Sequence, residues 1–487
     1  MKHQSAIISE STGWIMLFAL SVIWILLGIY WGKKAKNMEG FMLAGRNVGL
    51  AFGVTTAMAT WITSNTTMLA PQLALELGVW GMVAYCTASF GLIMFAPLAK
   101  RIRELMPNGF TSGDFIRLRY GKRTWHLFLI ISLFYGFTWL ISMGMAGGIL
   151  MNALAGIPYR LGMTIILAVC VTYTLFGGLY AVIGTDFIQS LIILVGIVVV
   201  GFGVMNFIDF DLMYDNLLDE RPMLVSMLLP ASIMAVFNNL LFGIGEIFHS
   251  NVWWSRAFAM RKGIGKKAYV MSGLFWLPVP IAAGFIALTT DSLGINITSP
   301  DMVGPLVSAH ILGEVGAVVV FAVFFCSLAS SIDSLLAATS DLITEDIYRK
   351  MIRPDASEQH IRKVSSYIII GLGTLAWLVC LPRISDLATV LFFAGPMVGS
   401  TIWPIISGLF WKKASTQGAF WGMLLGSVIG LSAYFYLGWY TASLIGAAVS
   451  MITVLIFRQW QPDEFEWESL SEPSITESSL SEPSMSE

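Results

Sequence analysis

Long apolar segments separated by short polar loops follow one another along most of the chain. Thirteen can be marked, at roughly 12–32, 50–77, 79–99, 125–152, 161–177, 186–207, 224–250, 268–290, 316–342, 364–382, 387–411, 416–436 and 438–457. A helix needs about 20 apolar residues to cross the hydrocarbon core of a bilayer, and its backbone groups must be paired internally. The pattern therefore predicts an all-α polytopic membrane protein with about 13 transmembrane helices.

Composition supports this class. Apolar residues make up 56% of the 487 residues, charged residues only 12%, and the mean hydropathy is +0.75. A soluble globular protein of this size does not need so much apolar surface. The first apolar run lacks a small-residue cleavage site before Lys33, which predicts a retained helix instead of a cleaved signal peptide. The four cysteines lie in apolar segments without CxxC spacing and indicate neither disulfides nor a metal site.

The distribution of Lys and Arg over the loops predicts the orientation. If the N-terminus is outside, all but four of the 28 Lys and Arg residues fall in cytoplasmic loops; the four are Lys2, Arg160, Arg221 and Arg383. Positive charge is enriched on the cytoplasmic side of membrane proteins. We therefore predict a multi-pass protein of the plasma (inner) membrane with an outside N-terminus and a cytoplasmic C-terminus.

The ninth segment places polar oxygens at membrane depth. Its side chains include Ser327, Ser330, Ser331, Asp333 and Ser334. Helical steps of three and four residues put the four serines on one face. Hydroxyl oxygens without nitrogen or thiolate suit a hard monovalent cation, and buried polar groups in a membrane are usually functional. The alternative is that these small residues pack helix against helix.

Segment two carries many hydroxyl side chains between Thr55 and Thr67, followed by Pro71. This pattern predicts a broken helix whose freed carbonyls face a cavity; the alternative is a proline kink with the hydroxyls bonded to their own helix. Segment seven has a similar pattern: it carries amide side chains together with Gly243 and Gly245. Two interrupted polar helices, five segments apart, indicate two structural repeats that meet at a midplane site.

Two further stretches have distinct character. Gly177 and Gly178 permit a tight cytoplasmic turn between segments five and six, and the nearby Asp186 either caps the following helix or provides a carboxylate on a cation path. Residues 462–487 are acidic and rich in serine, with SLSEPS at 469–474 and again at 479–484. We predict a disordered cytoplasmic tail there.

Four motifs together resemble the sodium:solute symporter family. They are GFMLAGR at 40–46, WITS at 61–64 continuing through Pro71 to Gly78, GGLYAVIGTDFIQ at 177–189, and the helix from Ser327 that ends in Thr-Glu-Asp-Ile-Tyr at 348. The resemblance implies a LeuT-like core of two inverted five-helix repeats. The predicted organisation is an extra helix and loop at 1–49, repeats at 50–207 and 224–411, two extra helices at 412–460, and the tail at 461–487.

The resemblance also implies where ions bind. A sodium ion would be held by the carbonyl oxygens of Ala59, Ile62 and Ser327 and by the hydroxyls of Ser330 and Ser331. Asp186 would be the acidic residue on the sodium path. Because some relatives hold a second sodium nearby, Asp186, Asp333 and Ser334 are candidates for that site or for the path. The alternative is that Asp333 is a protonated or hydrogen-bonded residue near the inner water cavity.

The solute is expected at a similar depth. The candidate binding residues are Asn65, Thr66, Gln72, Phe237, Asn238, Asn239 and Glu246. Amides, hydroxyls and one acid suit a small polar neutral or cationic solute; Glu246 could instead pair with His249 or an inside arginine. The stretches at 107–121 and 251–261 are similar to the urea and polyamine branch more than to the sugar branch, and the proline and pantothenate carriers are also candidates.

The sequence thus predicts a sodium-coupled symporter that imports a small polar organic solute by alternating access. Na⁺ is the coupling ion, with no cofactor and no nucleic-acid partner. The alternatives are a proton-coupled symporter or facilitative channel of similar fold, and a polytopic membrane enzyme. The five histidines are scattered, and no HExxH, GxSxG or P-loop motif is present, which argues against the enzyme.

Overall fold

The computed structural model describes residues 7–226, 228–295, 297 and 299–471. The helices of these residues are α1 Glu10–Gly32, α2 Met38–Leu43, α3 Leu50–Trp61, α4 Ala70–Leu77, α5 Val79–Cys86, α6 Ser89–Leu105, α7 Ser112–Ala155, α8 Tyr159–Phe207, α9 Phe210–Glu220, α10 Pro230–His249, α11 Asn251–Ala259, α12 Gly265–Trp276, α13 Pro278–Ala287, α14 Val303–Leu342, α15 Glu358–Cys380, α16 Leu387–Phe392, α17 Gly395–Phe410, α18 Thr416–Leu437 and α19 Trp439–Trp460. Strand-like pairing in the described part is limited to two isolated bridges. The predicted all-α class is confirmed.

Within the described residues, 11 helical stretches are long and apolar enough to cross a membrane. Two features reconcile this number with the 13 predicted segments. The 49 residues of α8 would extend about 74 Å as one straight helix, more than the roughly 40–45 Å of a whole bilayer. The helix is divided at Gly178, where φ is 52° and ψ is −139°. Predicted segment two is split into α3 and α4, which are individually too short for the count.

α14 lies at the centre of the bundle. Every residue from 325 to 336 is at most 1% exposed, and the helix packs against α3, α7, α8 and α13. By contrast, α1, α18 and α19 expose large apolar side chains such as Phe18, Val428 and Ile452. These side chains are as apolar as lipid tails, so such exposure suits lipid contact. The polar face of α14 is therefore held in the middle of the bundle, away from lipid.

Segment seven does not break at its glycines. α10 is continuous from Pro230 to His249, and the chain leaves the helix only at Ser250, where ψ is 130°. A Cβ on Gly243 would lie 2.9 Å from the Cα of Ala88, and one on Gly245 would lie 2.5 Å from the carbonyl oxygen of Val398. The predicted position of the interruption was wrong, because these glycines permit close helix crossings and do not unwind their own helix.

The chain after α19 folds back onto the bundle as far as residue 471. The Arg119 guanidinium lies 4.2 Å from the ring centroid of Phe465, and the Arg101 guanidinium lies 4.6 Å from that of Trp467. Leu470 is 2% exposed. The first residues of the predicted tail are therefore docked here, whereas residues 472–487 lie outside the described residues.

Candidate functional site

The predicted break in segment two begins at the end of α3. Ile62 leaves helical conformation at φ −80° and ψ 76°. Thr63 and Thr66 stabilise the break reciprocally: the amide of each donates to the hydroxyl oxygen of the other, both at 3.2 Å. In an unbroken helix these amides would pair with the carbonyls of Ala59 and Ile62. The break therefore releases the two carbonyls of segment two that were predicted to bind sodium.

The serine face of α14 lies against this break. Ser331 Oγ donates to the Thr60 carbonyl at 3.3 Å and to the Ser327 carbonyl at 2.9 Å. The hydroxyl oxygens of Thr60 and Ser334 are 3.0 Å apart. The five predicted sodium ligands have no exposed surface: Ala59, Ile62, Ser327, Ser330 and Ser331. The two stretches predicted to share an ion are adjacent and shielded from water, and the ligand roles stay predictions.

Asp186 joins the same cluster from α8. Its Oδ1 accepts a hydrogen bond from Ser330 Oγ at 2.7 Å, and its Oδ2 accepts one from Thr56 Oγ1 at 2.6 Å. Both carboxylate oxygens therefore face side chains of α3 and α14 and not the amides of their own helix. This geometry fits a carboxylate beside the cation site better than a helix cap.

Arg256 was not expected at this site, because the loop charges predicted it to be a cytoplasmic residue. Arg256 is fully buried on α11, and its Nη2 lies 3.3 Å from Asp186 Oδ2. The same nitrogen donates to Thr60 Oγ1 at 2.6 Å and to Ser334 Oγ at 2.7 Å, and Nε donates to Thr56 Oγ1 at 3.0 Å. A guanidinium thus contacts two of the three residues predicted for a second sodium. The sequence did contain one indication of this role: Arg256 lies inside the apolar run NVWWSRAFA. A cation that is buried in such a run needs a partner of opposite charge.

Asp333, the third of those residues, faces α8. The Tyr173 hydroxyl donates to Asp333 Oδ2 at 2.9 Å and to the Ala329 carbonyl at 3.0 Å. Asp333 Oδ1 is buried and has no hydrogen-bond partner among the described residues. The structure therefore separates the hydrogen-bonding roles of the two aspartates: Asp186 pairs with a guanidinium, and Asp333 accepts from a phenol.

A cavity adjoins the break on its α10 side. Three of the predicted solute residues line it: Asn65, Asn239 and Glu246. Its other walls include rings that were not predicted for the solute site, those of Trp61, Tyr85, Trp139, Phe242 and Phe392. The cavity has a volume of about 20 Å³, room for about one water molecule. A solute would therefore need these walls to move apart.

The other predicted solute residues lie elsewhere. Thr66 Oγ1 donates to the Trp61 carbonyl within the break. Gln72 donates to Glu76 and to Asp386.

Asn238 Oδ1 accepts from the amides of Ser443 and Leu444 and so joins α10 to α19. Phe237 is 53% exposed on the outer face of α10, so its assignment to the solute site is wrong. One residue separates Phe237 from Asn239, which on a helix turns the two side chains to different faces.

Glu246 forms neither of the pairs considered from the sequence. Within the described residues it has no hydrogen bond or ion pair. The neighbouring His249 is hydrogen-bonded through Nδ1 to the Gly245 carbonyl at 2.7 Å. The buried arginine of this region, Arg256, is paired with Asp186. The carboxylate therefore lies at the cavity wall, 4% exposed, without a cationic neighbour from this part of the chain.

Solved transporters share this architecture. A Na⁺-coupled sialic acid symporter in a substrate-bound outward-open state superposes with a TM-score of 0.76 at 18% identity, covering 93% of this chain and 99% of that chain. Mhp1, a nucleobase-cation-symport-1 family transporter in a closed conformation, gives 0.56 at 16% identity over 88% of this chain and 96% of that chain. A broken helix packed on a polar helix inside a LeuT-like bundle is the arrangement typical of secondary membrane transporters.

Within that class, the chain belongs to the sodium:solute symporter family, which matches residues 41–426. It is 26% identical over 457 residues to a urea-proton symporter of Oryza sativa subsp. japonica, covering 86% of this chain and 63% of that protein's length. It is 24% identical over 454 residues to the high-affinity proline transporter of Bacillus subtilis (strain 168), and the match covers 88% of this chain and 94% of that protein's length. The sodium/pantothenate symporter of Escherichia coli (strain K12) is 27% identical over 440 residues, and the match covers 85% of this chain and 88% of that protein's length. These relatives are described as transporters or symporters.

Proposed function

We propose that the protein is a sodium-coupled symporter that imports a small polar organic solute by alternating access. The observation that carries the proposal is that the serine face of α14 contacts α3 at its broken end, where Ser331 Oγ donates to the Thr60 carbonyl next to the released carbonyls of Ala59 and Ile62. Carbonyl and hydroxyl oxygens are neutral hard ligands, which suit an alkali ion. None of the five proposed ligand groups titrates near neutral pH, so this site favours sodium over a proton.

The proposed sodium site also explains how the ion drives transport. Sodium that joins α3 to α14 stabilises the arrangement that accepts solute, and its release into a low-sodium cytoplasm resets the protein. The membrane potential contributes about 2.3 kcal/mol per charge per 100 mV. This is between one and two decades of solute accumulation per ion, at about 1.4 kcal/mol per decade.

Proton coupling is the second candidate, because one relative is a urea-proton symporter and the buried Asp333 has an oxygen without a partner among the described residues. Uptake of a panel of labelled solutes into proteoliposomes separates the two. An inward sodium gradient at equal internal and external pH drives uptake under our proposal. Accumulation that follows the pH gradient and does not depend on sodium would support the second candidate.

For the orientation in the membrane, we propose an outside N-terminus, which the charge distribution over the loops supports.

Ser331→Ala is expected to raise the sodium concentration for half-maximal uptake by about 3- to 30-fold, because a lost ligand hydroxyl costs roughly 0.6–2 kcal/mol. The measurement is initial uptake against sodium concentration. Ser340→Ala is the matched control, since Ser340 is buried on the same helix and its hydroxyl donates to the Ala337 carbonyl within its own turn. Unchanged sodium dependence in Ser331→Ala would count against the proposed ligand set.

We further expect one sodium ion per solute. The Arg256 guanidinium already neutralises Asp186 and bonds to Ser334, and Coulomb repulsion disfavours a second cation next to it. The dependence of uptake on sodium should have a Hill coefficient near 1, and the solute gradient at equilibrium should balance one sodium gradient. A measured ratio of two would instead favour a second ion at Asp333.

A further inference from the structure

The cavity beside α10 has walls of two chemical kinds. Five aromatic rings line it together with a single acidic side chain, Glu246, among the described residues. Resting on the proposed function, we infer that the transported solute is a small organic cation with an alkylated ammonium group, whose charge faces Glu246 and whose carbon-bound hydrogens pack on the rings.

The rings are arranged as adjoining walls. Trp61 and Trp139 meet at 88° with centroids 6.2 Å apart, and Phe242 and Phe392 meet at 69° with centroids 5.2 Å apart. Perpendicular neighbours form the corners of a box. The face of an aromatic ring carries negative electrostatic potential, and such boxes recognise quaternary ammonium groups through cation–π attraction.

Glu246 decides the sign of the solute's charge. The carboxylate is buried and has no cationic partner from the described residues, and an unpaired buried charge is costly. A solute cation would supply the missing charge when it binds. An anionic solute would face repulsion from the same carboxylate, with no lysine or arginine of the described chain on the cavity wall to offset it.

The two amide side chains of the cavity wall favour an ammonium over a guanidinium. Asn239 uses its amide nitrogen on the Ala235 carbonyl, so its oxygen is left as an acceptor. Asn65 Oδ1 already accepts a hydrogen bond from the Ser142 hydroxyl. A guanidinium brings five N–H donors, more than these few acceptors can satisfy. An alkylated ammonium brings few donors and a large apolar surface, which suits walls made mainly of rings.

Paired probes test this inference on the purified full-length protein in lipid nanodiscs. Choline and its neutral carbon isostere 3,3-dimethyl-1-butanol have nearly the same shape and differ in charge. We expect choline or tetramethylammonium, in sodium buffer, to raise the melting temperature and to quench tryptophan fluorescence, with at least tenfold weaker binding of the isostere. Equal binding of the isostere, or no binding of either ammonium probe, would overturn the inference.

Three variants locate the binding. Glu246→Gln should weaken choline binding at least tenfold, whereas Glu104→Gln, at a surface pair with Lys100, should not change it. Trp139→Leu should weaken binding much more than Trp139→Phe, which keeps a ring. Each variant must retain its sodium-induced shift in melting temperature, which shows that it is folded. Choline binding that is unchanged in Glu246→Gln would overturn the role of the carboxylate.

The same assay separates this inference from the proposed function. If the neutral isostere binds as well as choline and sodium strengthens both, the choice of a cation fails and the sodium symporter stands. If choline binds equally in sodium and in potassium, the coupling to sodium fails and the assignment of a cationic solute stands.

Discussion

Arg256→Met is expected to lower the free energy of unfolding by about 3–5 kcal/mol and to abolish solute uptake. The substitution leaves the Asp186 carboxylate buried without its counter-charge. It also removes the donor to Thr60 and Ser334, which join α3 to α14. Because one guanidinium ties three helices at the proposed cation site, its loss should affect stability and transport together.

A double-mutant cycle isolates the pair. Asp186→Asn alone should also destabilise the protein, since it leaves a buried guanidinium without its carboxylate. Combining it with Arg256→Met removes both charges and should recover much of the stability. The measurement is reversible unfolding in mixed micelles, with sodium-driven uptake in parallel. Lys262→Met, an exposed cation of the following loop, is the control. A fully stable Arg256→Met protein would show that the ion pair does not stabilise this buried carboxylate.

Gly178→Ala is expected to cost about 2–6 kcal/mol of stability and to remove most of the folded protein. Gly178 combines a positive φ of 52° with an extended ψ of −139°, which residues with a Cβ rarely adopt and which costs about 1–3 kcal/mol. A Cβ at this position would also lie 2.5 Å from the Phe41 carbonyl oxygen and 2.7 Å from its ring. Overpacking of that kind adds about 1–3 kcal/mol.

The matched control lies on the same helix. Gly201 has helical conformation and open space where a Cβ would stand, so Gly201→Ala should be neutral or should stabilise the helix by up to about 1 kcal/mol. The yield of monodisperse protein and its melting temperature compare the two variants. Equal behaviour would mean that the bend between the two spans of α8 does not depend on Gly178.

Local chemistry explains why part of the site was predictable. The serines of α14 share a face because of helical periodicity alone, and polar oxygens in an apolar segment are costly enough to indicate a purpose. The break in segment two was also indicated by its cluster of hydroxyls. Its position was less predictable: the chain leaves the helix at Ile62, whereas Pro71 lies in the first turn of α4.

Other parts depended on contacts between distant residues. Arg256 is 70 residues from Asp186 along the chain, and nothing in the local pattern around either residue identifies the other. Asn238 and Asn239 are neighbours in sequence, yet the first holds α19 and the second lines the cavity. The rings of Trp61, Tyr85 and Trp139 lie in apolar segments where aromatic residues also face lipid, so their meeting at one cavity had no sequence signature.

The sequence by itself determined the class of protein, most of the spans and the polar face of α14, because hydrophobic length and helical periodicity are properties of single segments. Only the tertiary structure decided that Arg256 pairs with Asp186 and that Glu246 lies at a cavity lined by aromatic rings. The physical reason is that charge pairing and cavity shape depend on the distances between segments, and in this bundle helix packing sets those distances.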